Sequence, residues 1–218
     1  MKPNSHPKKI VPGRFAYLRK ILLREKMIPK KRPWYSFDTG LNQLKKDLKT
    51  DAMLEVRNHQ KLMQDPNYTY LDLGAGTGRT ASEAEQFLNS GGKFGHVKVI
   101  ATGIKKRPEW ETHHNSKKIG WETVEFEKLA SKVPSNSVNF ILSNFGIGHA
   151  QNLNNALLQV HQVLKKGGRI LYSYDAPYNS AYLYPAGFKP AREHAVIYKS
   201  EPSEDSQKIR VVVYLEKI

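Results

Sequence analysis

The 218-residue sequence has no cysteine, no long apolar run and fewer acidic than basic residues. Without cysteine the chain can form no disulfide, no thiolate metal site and no cysteine nucleophile. No stretch approaches the roughly 18 consecutive apolar residues of a membrane span. The basic N-terminus is not followed by the apolar segment of a secretory signal. These absences predict a globular, cytoplasmic protein.

The excess of positive charge is concentrated in the first part of the chain. The formal net charge is +15, and residues 1–50 hold 14 lysines and arginines against three acidic residues. Between Arg14 and Met27, apolar side chains recur at helical spacing with basic ones between them, which predicts a basic amphipathic helix. Residues 8–32 are therefore a candidate contact for RNA or for an anionic membrane surface. Alternatively, the helix is docked on the domain and its basic face is merely solvated.

Beyond this segment, strand-like and helix-like patterns alternate. A helix is predicted from about Gly40 to Gln64, and others at residues 80–88 and 152–164, where apolar side chains fall on one face. Seven apolar runs are typical of strands: YTYLDLG, HVKVIATGI, WETVEFE, VNFILSN, GRILYSYD, REHAVIYKS and KIRVVVYLEKI.

Strands that alternate with helices form a parallel sheet with helices on both sides. Only a short polar stretch separates the last two runs, so these should pair as an antiparallel hairpin. The prediction is an α/β three-layer sandwich over residues 38–218, with a mostly parallel seven-stranded sheet that ends in this hairpin. Residues 1–37 form a basic N-terminal extension.

The stretch YLDLGAGTGRT, at residues 70–80, places three glycines at alternate positions directly after the first strand. Glycines at such a turn let backbone amides approach a ligand, and the start of the next helix favours a negative group. The dinucleotide fingerprint G-x-G-x-x-G is not matched, because the third glycine is Gly78 and position 79 is arginine. No G-K-[ST] follows, so the stretch is not a P-loop either.

LDLGAGTGR resembles motif I of the class I S-adenosylmethionine-dependent methyltransferases. VNFILSNFGIGHA is similar to the fourth strand of that family and the loop after it. ALLQVHQVLKKGGRILYSYD resembles the helix, turn and fifth strand that follow, and YPAGFKP resembles the closing segment. The resemblance covers residues 68–218, and it implies the fold, S-adenosylmethionine as cofactor and methyl transfer as activity, with no metal.

The resemblance also implies which residues form the site. Asp72 would lie beneath the methionine amino group of the cofactor. Glu127 is the candidate for the adenine, whereas Asn144 and His149 occupy the loop that would face the methyl group. Asn144 is a candidate cofactor ligand and His149 a candidate general base. The backbone amides expected to face the methionine part belong to Gly74, Ala75, Gly76, Thr77 and Gly78.

Two positions depart from the family pattern. Lys105 stands where an acid usually accepts hydrogen bonds from the ribose hydroxyls of the cofactor, and a lysine cannot accept them. Asn139 replaces the aspartate that is common early in the fourth strand. These departures indicate a cofactor site that is weakened or abandoned.

Three functions remain open from the sequence. The first is methyl transfer from S-adenosylmethionine to a small or lipophilic acceptor. The second is methylation of RNA held by the basic N-terminal arm. In the third, the chain is a catalytically inactive, methyltransferase-like binding module, because Lys105 has spoiled the ribose contact.

Overall fold

The computed structural model describes residues 39–48, 50–90, 95–177, 185–191, 197–198 and 208–218. The predicted basic extension and its amphipathic helix lie outside these residues. Within them, no helix has both the length and the apolar character needed to cross a bilayer.

The strands of the described residues join into one sheet. The strands are β1 (Thr69–Leu73), β2 (Lys98–Gly103), β3 (Ile119–Thr123), β4 (Val138–Asn144), β5 (Leu164–Pro177), β6 (Phe188–Pro190), β7 (Ile197–Tyr198) and β8 (Lys208–Lys217). The main path of the sheet runs in the order β3-β2-β1-β4-β5-β8-β6, and the short β7 pairs with β8. β1 to β5 pair in parallel, whereas β6 to β8 pair antiparallel, so the predicted mostly parallel sheet with an antiparallel end is confirmed.

Two helices precede β1, and the others lie between the parallel strands along the chain. The α-helices are α1 (Leu41–Leu48), α2 (Ala52–Met63), α3 (Arg79–Asn89), α4 (Glu109–Thr112) and α5 (Leu153–Val163). Short 3-10 helices occupy Ser116–Lys118, Phe126–Ser131 and Ile147–His149. The helices predicted at residues 80–88 and 152–164 correspond to α3 and α5, and the Asn152 side chain caps α5 by accepting from the Asn155 N–H at 3.0 Å.

The helix predicted from Gly40 to Gln64 is in fact two helices. Asp51 has an extended backbone and its side chain accepts a hydrogen bond from the Leu54 N–H at 3.1 Å, so it starts α2 as an N-cap. The apolar stripe of Leu44 and Leu48 belongs to α1 alone. A capping side chain therefore interrupted a periodicity that looked continuous in the sequence.

Apolar side chains are buried on both faces of the sheet. Tyr70, Val99 and Leu142 belong to one cluster with the buried residues of α1, α2 and α3. Their strand neighbours Leu71 and Ile141 project from the opposite face and are also fully buried. A sheet that is covered on both faces keeps its parallel strands dry, as the three-layer prediction requires.

The amino ends of β1 and β4 are joined by a polar network. The Asn139 side chain accepts from the Thr69 N–H at 2.8 Å and donates to Asp65 at 2.8 Å. Lys165 also donates to Asp65, and these hydrogen bonds help to hold the pKa of that carboxyl below its usual value although burial opposes them. Asn139 thus has a structural role at the end of β4 opposite to the candidate site, and it carries no information about the cofactor.

Candidate active site

The glycine loop, residues 74–78, connects β1 to α3 at the carboxyl edge of the sheet. All three of its glycines have positive φ, at +88° for Gly74, +57° for Gly76 and +88° for Gly78. The N–H groups of Gly74 and Ala75 both donate to the Thr102 carbonyl on β2, at 3.1 and 2.7 Å. This is the edge at which open α/β sheets bind ligands, so the predicted loop residues lie together where a cofactor is expected.

The protein itself accounts for two of these glycines. A Cβ atom on Gly74 would lie 2.8 Å from the Cα of Gly146, in the loop after β4. A Cβ atom on Gly78 would lie 2.6 Å from the indole ring of Trp121. Real Cβ atoms do not approach other heavy atoms so closely, and the positive φ also disfavours any side chain. Close packing within the chain therefore requires glycine at both positions, with or without a ligand.

Asp72 gives the sharper evidence for a ligand. Its side chain is only 4% exposed, and among the described residues its Oδ2 atom has no hydrogen-bond partner. Burial raises the pKa of this carboxyl from 3.8 to about 7. Two residues earlier on the same face, the Tyr70 hydroxyl is likewise buried without a partner in the described structure. Because buried polar groups are nearly always paired, this carboxylate is suited to a cationic or hydrogen-bonding ligand.

The loop after β4 approaches the glycine loop from the other side. Ser143 donates to the Leu73 carbonyl at 2.7 Å and accepts from the Ile147 N–H at 2.9 Å. Phe145 has a φ of +61°, which is rare for a residue with a side chain, and its N–H donates to the Ser173 hydroxyl at 3.1 Å. The polypeptide thus holds an unusual backbone conformation directly beside the candidate cofactor loop.

Asn144 supports this loop through its side chain. Its Oδ1 accepts from the Ser173 hydroxyl at 2.8 Å, and its Nδ2 donates to Asp47 of α1 at 3.1 Å. Both ends of the amide are therefore bonded within the protein. The predicted cofactor contact of Asn144 stays a prediction.

His149 and Glu127 lie farther along this edge of the sheet. His149 ends the 3-10 helix after β4 and is exposed, and its backbone N–H donates to the Gly146 carbonyl at 3.0 Å. The Glu127 carboxylate accepts from the Asn152 N–H at 2.9 Å, at the start of α5. The roles predicted for these two residues stay predictions.

Lys105 follows the carboxyl end of β2 and is exposed. Its neighbour Lys106 forms an ion pair with Glu111 at 2.5 Å. The structure thus places a cation at the edge where the family pattern has a ribose-binding acid. The fit to the cofactor is therefore uneven, because Asp72 and the glycine loop match the methionine part but Lys105 does not match the ribose.

Sequence reasoning missed three aromatic residues behind the glycine loop, Trp110, His113 and Trp121. Trp110 is 2% exposed, and its indole N–H donates to the Gly76 carbonyl at 2.9 Å. The His113 Nε2 atom lies 3.1 Å from the Thr77 carbonyl, which can only accept, so the imidazole donates. The density of aromatic residues after β2 was the available sign, since two of the chain's three tryptophans occur there.

The sequence of the chain is similar to known methyltransferases. A family profile described as a methyltransferase domain matches residues 64–204. The ubiquinone/menaquinone biosynthesis C-methyltransferase UbiE of Agrobacterium fabrum is 28% identical over 134 residues, which are 61% of this chain and 48% of the relative. UbiE of Rhizobium etli is 28% identical over 123 residues, or 56% of this chain and 45% of the relative. The chain thus spans about half the length of the curated relatives it matches.

Solved structures share the fold. A putative S-adenosylmethionine-dependent methyltransferase from Listeria monocytogenes aligns with a TM-score of 0.51 at 17% identity, over 77% of this chain and 99% of that one. The trans-methyltransferase CalH, solved in complex with SAH, aligns with a TM-score of 0.53 at 14% identity, over 76% of this chain and 55% of that one. Together with the family profile, which covers more than half of the sequence, these findings show that the chain belongs to the methyltransferase-domain family, whose cofactor is S-adenosylmethionine.

Proposed function

We propose that the chain transfers a methyl group from S-adenosylmethionine to a ring carbon of a lipophilic, quinone-type acceptor. The observation that carries the cofactor half of this proposal is the buried Asp72 carboxylate, whose Oδ2 has no partner among the described residues. The acceptor half is supported by the relatives, which are named as ubiquinone/menaquinone biosynthesis C-methyltransferases.

Asp72 would bind the ammonium group of the methionine part of the cofactor. A buried carboxylate without a counter-charge is unfavourable, which is why burial raises its pKa to about 7. An ammonium group supplies both the missing charge and the missing hydrogen-bond donor. Binding should therefore favour the ionised form of Asp72 and lower its pKa.

S-adenosylmethionine supplies a methyl group on a positively charged sulfur, so the protein has to position the acceptor and, for carbon acceptors, remove a proton. The loop after β4 would face the acceptor, with Phe145 fixed by its hydrogen bond to Ser173. Exposed at the end of this loop, His149 is the candidate base, because neutral imidazole accepts a proton near pH 7. The basic N-terminal arm lies outside the described residues, so the RNA alternative rests on the sequence alone.

Cofactor binding is expected to release a proton at pH 6. At this pH the free Asp72 carboxyl is mostly protonated, because its pKa is raised to about 7, and an ammonium ligand drives the proton off. At pH 8 the carboxyl is already ionised and the release should vanish. Calorimetric titration with S-adenosylmethionine, in two buffers of different ionisation enthalpy at each pH, measures the number of protons released.

Asp72→Asn should abolish this release and weaken binding roughly 10- to 100-fold, since a hydrogen bond to a charged group contributes about 1.5–3 kcal/mol. Asp65→Asn, the same substitution at the opposite end of the sheet, where Asp65 accepts from Asn139 and Lys165, is the matched control and should keep the proton release. An Asp72→Asn protein that binds as tightly as the unmodified chain, with the same proton release, would remove Asp72 from the site.

The cost of Lys105 can be measured by restoring the family's acid. Lys105→Asp should lower the dissociation constant for S-adenosylmethionine about tenfold or more, because aspartate can accept hydrogen bonds from the ribose hydroxyls. Lys106→Asp changes the net charge equally one residue away and should leave the affinity nearly unchanged. If the unmodified chain does not bind at millimolar concentration but Lys105→Asp does, the chain is an inactive module.

Methyl transfer is tested with S-adenosylmethionine labelled in its methyl group and a chemically reduced naphthoquinone as acceptor. The label should appear in the organic extract, and His149→Ala should lower kcat by about 100-fold while the affinity for the cofactor is unchanged, as expected for loss of a general base. Unchanged turnover would exclude His149 from the chemistry. Label that enters transfer RNA but not the quinol, and is lost when residues 1–33 are deleted, would contradict the proposed acceptor and favour the RNA alternative.

A further inference from the structure

The segment after β2 donates hydrogen bonds to two consecutive carbonyl groups of the glycine loop. Trp110 donates to the Gly76 carbonyl at 2.9 Å and His113 to the Thr77 carbonyl at 3.1 Å. From this geometry we propose that Trp110 and His113 are positioning residues that pre-organise the glycine loop for the cofactor. The inference rests on the proposed function, since it assumes that the loop binds S-adenosylmethionine.

A glycine-rich loop needs such support because of its own flexibility. Glycine adopts positive and negative φ about equally, so a loop with three glycines loses much conformational entropy when a ligand orders it. A peptide group is planar, so a hydrogen bond to the Gly76 carbonyl also fixes the direction of the Thr77 N–H. In the same way, the bond to the Thr77 carbonyl fixes the Gly78 N–H, which donates to the Ala75 carbonyl at 2.8 Å. Two side chains thus restrain two successive peptide groups before any ligand arrives.

The two donors are themselves held by stacking on Trp121. We call Trp110, His113 and Trp121 the aromatic clamp. The Trp110 and Trp121 rings lie 5.0 Å apart at an angle of 17°, and the His113 and Trp121 rings 6.3 Å apart at 16°. Trp121 donates its indole N–H to the Ser116 carbonyl at 3.0 Å and not to the glycine loop. Its ring lies against Gly78, so the clamp contacts the start of α3 by packing as well as the loop by hydrogen bonds.

The clamp also reaches the ribose end of the candidate site. A Cβ atom on Gly103, the last residue of β2, would lie 3.0 Å from the Trp110 ring. The same indole therefore contacts the glycine loop and the strand end that precedes Lys105. By lowering the entropic cost of binding the methionine part, the clamp would compensate for some of the S-adenosylmethionine affinity that is lost because Lys105 cannot accept hydrogen bonds from the ribose.

The test compares two equal substitutions within one stack. Trp110→Phe removes the indole N–H that bonds the glycine loop, whereas Trp121→Phe removes one that bonds Ser116. Trp110→Phe should raise the dissociation constant for S-adenosylmethionine about fivefold, the loss of one neutral hydrogen bond of about 1 kcal/mol. Trp121→Phe should raise it by less, because this variant leaves the hydrogen bonds of Trp110 and His113 to the glycine loop in place. Equal effects of the two variants on affinity would overturn the proposal.

His113 provides a second, conservative pair of variants. His113→Leu removes the donor to the Thr77 carbonyl and should raise the dissociation constant severalfold. His113→Gln retains an N–H donor and should restore most of the affinity, which a purely structural role would not predict. If His113→Leu binds as tightly as the unmodified chain, or His113→Gln as weakly as His113→Leu, His113 does not position the loop.

Nuclear magnetic resonance follows the clamp in the unmodified chain, so the proposal stays testable if a variant fails to fold. The chain has three tryptophans, Trp34, Trp110 and Trp121, whose indole N–H signals are assigned in the isotope-labelled unmodified chain by triple-resonance experiments. Titration with S-adenosylhomocysteine should shift the Trp110 signal more than that of Trp121. If the ligand binds and the Trp110 signal does not move, the clamp is not linked to the site. If the unmodified chain does not bind either ligand, the proposed function itself fails.

Discussion

The candidate site depends on one carboxylate, Asp72, which the fold buries and whose Oδ2 atom has no hydrogen-bond partner in the described part of the chain. It occupies the middle strand of the parallel sheet, just before the glycine loop, and burial raises its pKa to about 7. Above pH 7 the buried charge therefore lowers the free energy of unfolding by on the order of 4 kcal/mol. This penalty disappears as the pH falls towards 3.8, where the carboxyl is protonated in the folded chain. Because buried polar groups are nearly always paired, we propose that this carboxylate binds a cationic group of the ligand.

The structure gives the glycines of the loop a different explanation from the one that the sequence indicates. In the sequence, three alternating glycines indicate a ligand that approaches the backbone. In the structure, Gly146 packs against Gly74 and Trp121 packs against Gly78. The groups that come close to these two glycines therefore belong to the protein itself. The glycines thus let two loops and a helix start pack together around the end of β1. The ligand is indicated more directly by the Asp72 Oδ2 atom, which no described residue hydrogen-bonds, than by the glycines.

The order of the strands and helices could be predicted from the sequence. The alternation of strand and helix patterns, the glycine turns and the motifs that resemble the family are all visible in short stretches of chain. Prediction from the sequence failed where a single capping hydrogen bond or a long-range contact decides the structure. Asp51 interrupted a helical pattern through one capping hydrogen bond, and Asn139 seemed to bear on the cofactor until pairing placed it at the amino end of β4. Trp110 was overlooked because nothing local to it indicates that its indole reaches back 34 residues to the Gly76 carbonyl.

The most direct measurement is a crystal structure of the chain grown with S-adenosylhomocysteine, whose ammonium group is that of the cofactor. This ammonium should lie within hydrogen-bond distance of the Asp72 carboxylate, and residues 74–78 should keep the backbone conformation and the carbonyl contacts described above. Ligand bound elsewhere, or an ammonium group that lies away from Asp72 while the Asp72 carboxylate pairs with another protein group, would show that Asp72 does not bind the cofactor.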